Sequence, residues 1–134
     1  MLSGYTPAML TPPRLSFSRA QRLTHALEYQ KAYEGNVRKH AGPLVVFGHQ
    51  SGLGRPRLGL AVSRHVGNAV KRGLIKRRIR EAFRLSQQEL PAIDLVVRVR
   101  PHAPLSVDEY REWLSGAADR VGGRLERAGD EPAA

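Results

Sequence analysis

Three short runs of β-branched or alternating apolar residues, and three stretches of helical spacing, are set apart along this chain by glycine and proline breaks. "PLVVFGHQ" (residues 43–50) is a β-branched run that ends in the turn-rich "SGLGRP". In "RLGLAVSR" (57–64), Leu58, Leu60 and Val62 alternate with Gly59, Ala61 and Ser63, the pattern of a half-buried strand. The turn between these two runs predicts a hairpin. "DLVVRVR" (94–100) is a further strand, ended by Pro101 and Pro104, and "VRKHAG" ahead of residue 43 could add a weakly paired one. Helices are expected over 25–34, with Thr24 as N-cap and Gly35-Asn36 as the stop, and over 69–89, behind an Asn68 cap and closed near Pro91. A last helix opens at Ser106, where Glu109 completes a capping box, and runs towards Gly122-Gly123.

That order describes an α+β fold, a two-layer sandwich of a small sheet and helices. The first 18 residues, with Pro7, Pro12 and Pro13, read as a flexible basic leader. Residues 19–126 form a single domain, and 127–134 a frayed tail. The first 27 residues hold no acid, as in a transit peptide, but the prolines prevent the amphipathic helix such a peptide needs. No internal repeat is present.

Charge changes the picture. Of 134 residues, 22 are Lys or Arg and 12 are Asp or Glu, a net charge of +10 that points to nucleic acid or an anionic surface as partner. The surplus is confined to residues 1–100, with 18 cations against 5 acids, while residues 101–134 carry 4 against 7. There is no cysteine, which removes disulfides, thiolate zinc sites and cysteine nucleophiles and fits a reducing cytoplasm. No apolar run reaches the roughly 18 residues of a membrane span.

The densest charge lies in "GNAVKRGLIKRRIREAFR" (67–84), seven Lys or Arg with Glu81 the one acid. Cations in a first helical turn oppose the macrodipole and repel one another at i,i+3 and i,i+4. On a helical wheel, Ile75, Ile79, Ala82, Phe83, Ser86 and Leu90 span an arc of about 100° that faces a core. Lys76, Arg77, Arg80 and Arg84 fill a neighbouring arc beside Arg72. They form a one-sided ridge rather than a solvated scatter, and the backbone N–H groups of residues 69–71 add a phosphate-binding helix start. A polyanionic partner accounts for this arrangement.

The stretch "GLAVSRHVGNAVKRGLIKRRIREAF" resembles the signature region of the bacterial ribonuclease P protein subunit. The likeness extends from about residue 19 to residue 115, through "EYQKAYEGN" and "DLVVRVRP". It implies an αβββαβα order with a mixed sheet and a left-handed β-α-β crossover, the fold of the second domain of ribosomal protein S5. It also implies a role beside a catalytic RNA in removing the 5′ leader of precursor tRNA, with Mg²⁺ held mainly by that RNA and no organic cofactor. Asn68, Lys71, Arg72, Lys76, Arg77, Arg80 and Arg84 become the contacts to the catalytic RNA. Tyr29 and Tyr33, one helical turn apart and sharing a face with Arg22, become the aromatic wall of a groove for single-stranded leader, with Phe47, Ser63 and Arg64 adding to its floor. Gly73 and Leu74 stand where the family carries Asn and Arg. No membrane and no obligate protein partner are implied.

A stand-alone nuclease would need clustered carboxylates or histidines for a metal. The basic region offers only Glu28, Glu34, Glu81, Glu89 and Asp94, without D-x-D or E-x-x-H spacing. His25, His40, His49, His65 and His102 never stand at HxxxH spacing. His49 and His65 could form a metal-free acid–base pair but read better as loop residues. Arg98 and Arg100 share one face of the last strand, equally suited to phosphate or to solvent. The remaining alternatives are a structural RNA-binding protein such as a ribosomal protein, and a helix-turn-helix regulator. The latter is disfavoured because strands flank the basic helix.

Overall fold

The computed structural model describes Arg22 and residues 26–34 and 38–130. The expected leader, the Thr24 cap, the Gly35-Asn36 stop and residues 131–134 lie outside the described residues. The elements are α1 (Ala26–Glu34), β1 (Arg38–Ala41), β2 (Leu44–His49), β3 (Arg57–Val62), α2 (Ala69–Ser86), β4 (Asp94–Val99) and α3 (Val107–Asp130), with a 3₁₀ turn at Arg64–Val66. The weak run ahead of residue 43 is a true edge strand.

The strands form one mixed sheet in the order β1-β2-β4-β3. β1 pairs antiparallel with β2 through the turn at Gly42-Pro43, and β2 pairs antiparallel with β4. β3 runs parallel to β4, with α2 as the connection between them. The expected hairpin of β2 with β3 is therefore corrected: β4 lies between them. The reason is visible in β4 itself, where Leu95, Val96 and Val97 are all fully buried, so both faces of the strand need cover and it takes an interior position.

Strand alternation sorts side chains onto two faces. Leu44, Val46, Leu58, Leu95, Val97 and Val99 pack with Ile75, Ile79 and Phe83 of α2 and with Tyr110, Leu114, Ala118 and Val121 of α3. Across the sheet, Val45, Phe47 and Val96 pack with Ala32 and Tyr29 of α1, which covers only part of that face. The part that no described residue covers is where the candidate site lies. In α2, the buried residues are Ile75, Ile79, Ala82, Phe83 and Ser86, the stripe expected from the wheel. The helix stops three residues short of the expected end, and its chain then turns back towards β4.

The last helix continues past Gly122-Gly123 instead of ending there. Gly122 is a packing residue: a Cβ at this position would sit 2.9 Å from Pro91. Gly48 plays a similar part on β2, since its Cβ would collide with Val121 as α3 crosses the strand. At the start of α3 the capping box forms, with Glu109 N–H donating to Ser106 Oγ at 3.2 Å and Ser106 N–H to Glu109 Oε1 at 3.3 Å.

Candidate nucleic-acid interface

The open part of the sheet face is lined by alternate residues of its strands. Arg38 and His40 project from β1, Val45 and Phe47 from β2, and Arg98 from β4, with Arg100 and Pro101 just beyond it. Ser63 and His65 close the end of β3. Together they border a cavity of about 330 Å³, and an adjoining hollow of about 250 Å³ extends it along Ala61, Ser63 and Arg98. The floor is apolar and the rim is cationic, which suits a chain of bases and phosphates. A larger cavity, about 420 Å³, lies between the end of α2 and the start of α3. Glu89, Asp108 and Glu112 outnumber Arg111 in its lining, which disfavours a polyanion there.

Tyr33 of α1 stands over the floor, edge-on to Phe47 with ring centroids 4.7 Å apart and planes at 86°. It is 37% exposed, whereas Phe47 is buried to 6%. Burial raises the Tyr33 hydroxyl above its ordinary range; Arg98 nearby pulls it down and Tyr29 pushes it up. Arg98 therefore lies within electrostatic reach of the aromatic wall. Tyr29 is half-buried in the cluster beneath, and its hydroxyl donates to the Leu60 carbonyl of β3 at 3.5 Å, the outer limit of a hydrogen bond.

Asn68 caps α2, accepting Lys71 N–H on Oδ1 at 2.8 Å. The ridge side chains are held differently from one another. Arg72 donates from Nε to the Gly67 carbonyl at 3.1 Å. Arg84 makes a two-pronged pair with Glu81, both contacts 2.7 Å, which lowers the Glu81 carboxyl below its usual range and raises Arg84. Arg80 is half-buried, which lowers its pKa, with Arg22 adding to the effect and Tyr29 opposing it. Lys76 is half-buried and Arg77 exposed. Arg78 points away from the ridge and donates to the Leu105 carbonyl at 2.8 Å.

Arg22 bridges to Leu58 on the free edge of β3. Arg80 of α2 lies within electrostatic reach of both Arg22 and Tyr29.

The structure thus brings Phe47 and Ser63 to one groove, with Tyr33 packed against Phe47 and Tyr29 in the cluster beneath. Arg64 lies in the 3₁₀ turn and is not among the cavity-lining residues; His65 takes that place. Arg38, His40 and His65 were missed as groove residues. Period-2 spacing in "RKHA" would have revealed the first two once that segment was taken as a strand. His49 and His65 do not meet: His49 pairs opposite Asp94 at the start of β4, while His65 lies beyond Val62, which pairs opposite Val99 at its end. Five strand residues put about 16 Å between those ends. Among the described residues no group of three or more His, Cys, Asp or Glu could hold a metal ion, and no helix is long and apolar enough to cross a membrane.

Gly73 is open: a Cβ there would meet only Arg77 Nη1, at 3.4 Å. Gly73→Ala is therefore expected to raise stability by about 0.5–1 kcal/mol in urea unfolding. If no stabilisation is found, helix propensity does not limit this turn.

Fold and surface together define an α+β protein with a cation-rimmed groove on one sheet face and a basic helix around its edge, a surface suited to a polyanion. The family model for ribonuclease P matches residues 17–121. The ribonuclease P protein component of Methylococcus capsulatus is 42% identical over 88 residues, 65% of this chain and 69% of that protein. The component from Haemophilus influenzae is 39% identical over 84 residues, 62% and 71% of the two chains. Among solved structures, the RNase P protein of Staphylococcus aureus superposes with a TM-score of 0.66 at 28% identity, covering 82% of this chain and 96% of that one. The Thermotoga maritima protein gives 0.67 at 27%, covering 74% and 96%. This chain belongs to the ribonuclease P protein family, part of a tRNA-processing enzyme.

Proposed function

We propose that this chain docks on the catalytic RNA of ribonuclease P through the α2 ridge and holds the single-stranded 5′ leader of precursor tRNA in the groove beside α1. The observation that carries the reading is the groove itself, with the exposed Tyr33 packed against a Phe47 floor and Arg38, Arg98 and Arg100 around the rim. A base stacks on Tyr33 while the guanidinium groups take the flanking phosphates, contacts that tolerate any leader sequence. The ridge neutralises phosphates of the catalytic RNA without reading bases.

The protein's part in this reading is positional. It binds and orients the leader, so that the scissile phosphate is presented to the RNA partner with its orientation already fixed. Hydrolysis, with Mg²⁺, is assigned to that RNA.

The test is reconstitution. The chain is combined with a bacterial ribonuclease P RNA, and precursor-tRNA cleavage is followed at low Mg²⁺ with and without protein. Rescue of cleavage by the protein supports the reading; no rescue, or cleavage by the protein alone, sinks it. Within the holoenzyme, Tyr33→Ala is expected to weaken binding of leader-bearing substrate by about tenfold, as loss of one stacking platform implies. Binding of leaderless tRNA should stay unchanged.

A further inference from the structure

Arg100 and Pro101 form one rim of the groove, yet they lie past the last ladder residue of β4, where the sheet no longer holds the backbone. Two contacts hold it instead. Arg100 N–H donates to the Pro43 carbonyl at 2.8 Å. The Arg100 carbonyl lies 2.7 Å from Nδ1 of His102. His102 Nε2 is 2.7 Å from the hydroxyl of Tyr110, a fully buried residue of α3. That hydroxyl also accepts Leu105 N–H at 3.2 Å, and the Leu105 carbonyl receives Nη1 of Arg78 from α2.

The direction of these bonds follows from their ends. A carbonyl only accepts, so Nδ1 of His102 carries the proton facing Arg100, and in the neutral ring Nε2 then accepts from Tyr110. The Tyr110 hydroxyl, its pKa raised by burial, remains a donor at neutral pH. Leu105 N–H and Arg78 oppose that shift and Glu109 adds to it. The rings of His102 and Tyr110 meet edge to face at 5.8 Å, which fixes the imidazole plane. A continuous hydrogen-bonded chain thus runs from the basic helix to the groove rim.

We infer that His102 and Tyr110 are positioning residues of the groove: they hold the Arg100 backbone so that its guanidinium stands in the path of the bound leader, and Arg78 anchors this support to α2. The inference rests on the leader-binding reading of the groove. Neither residue is among those that line the cavity. A binding side chain on an irregular segment is only as well placed as the groups that hold its backbone.

Substitutions at His102 separate positioning from bulk stability, because the ring is half-exposed and its two nitrogens do different work. Asn carries an amide donor where Nδ1 stands, and Gln carries an acceptor where Nε2 stands. In the reconstituted holoenzyme, the readout is the ratio of affinities for leader-bearing and leaderless substrate. His102→Ala and His102→Gln are expected to lower this ratio by about threefold to tenfold, the worth of one hydrogen bond. His102→Asn should restore most of it, and Tyr110→Phe should fall between. Affinity for the catalytic RNA alone should move by less than about twofold, since the ridge is untouched.

A wild-type ratio well above one together with an unchanged ratio in His102→Ala would overturn the positioning role and leave the leader reading standing. The same holds if Asn and Gln behave alike. A wild-type ratio of one removes both proposals together.

Discussion

Replacing both Lys76 and Arg77 with Ala is expected to weaken binding to the ribonuclease P RNA by about tenfold to a hundredfold near physiological salt, and to flatten the slope of log K against log[salt] by about two. These two are singled out because their charges are uncommitted: neither forms a hydrogen bond or ion pair with any described residue. Arg72 is tied to the Gly67 carbonyl, Arg84 to Glu81, and Arg80 is half-buried beside Arg22. Arg84→Ala should therefore have a smaller effect, because RNA must compete with Glu81 for that guanidinium. With about six phosphate contacts, the unmodified protein should show a slope of about −4 to −5. The double substitution should leave folding stability within about 0.5 kcal/mol, as surface changes do. Salt titrations of both proteins check the prediction. An unchanged slope would remove the ridge from the interface.

Asp94→Ala is expected to cost about 3 kcal/mol of stability, the low end of what breaking a buried pair costs. Asp94 at the start of β4 lies opposite Arg57 at the start of β3. The guanidinium grips its carboxylate with both prongs, Nε to Oδ1 at 2.8 Å and Nη2 to Oδ2 at 2.7 Å. The carboxylate side chain is 3% exposed and the arginine 17%. Removing the acid leaves a guanidinium charge largely out of water without this partner, and loosens the parallel pairing that places β3 at the edge. The slight exposure of Arg57 sets the estimate at the lower end. Replacing both residues with Leu should cost less than the single change, because the largely buried charge is then removed as well. Urea unfolding of the single and double variants checks this. A loss below about 1 kcal/mol in the single variant would mean that water reaches the pair freely.

Much of this molecule was legible in local patterns. The helical wheel of residues 69–89 picked out the buried stripe of α2 because that face is dictated by a 3.6-residue period. Asn68 and Ser106 were legible as caps because capping is satisfied within one turn of chain. The hairpin of β2 with β3 failed for the opposite reason: strand pairing is a non-local choice. The clue lay in "DLVV", where consecutive apolar residues mark a strand buried on both faces, and such a strand displaces its more amphipathic neighbours to either side. The end of α3 failed because Gly122 reads as a helix stop, whereas here it lets the helix pass close to Pro91.

The candidate site divides in the same way. The cation ridge and the Tyr29/Tyr33 pair lie on single helices, so spacing alone placed them. The groove rim draws Arg38 and His40 from β1, His65 from a turn and Arg98 from β4, segments up to 60 residues apart. Only the strand order β1-β2-β4-β3 sets them around one floor. The commitments of Arg78 to Leu105 and of Arg57 to Asp94 were likewise settled by packing, whereas the i,i+3 pair of Arg84 with Glu81 lies within one helix. Composition and periodicity determined that this chain folds as α+β and carries concentrated positive charge, because those properties are sums over neighbouring residues. Which charges remain available to a partner was decided by tertiary structure, because a charge is occupied or free according to what the fold brings within about 3 Å of it.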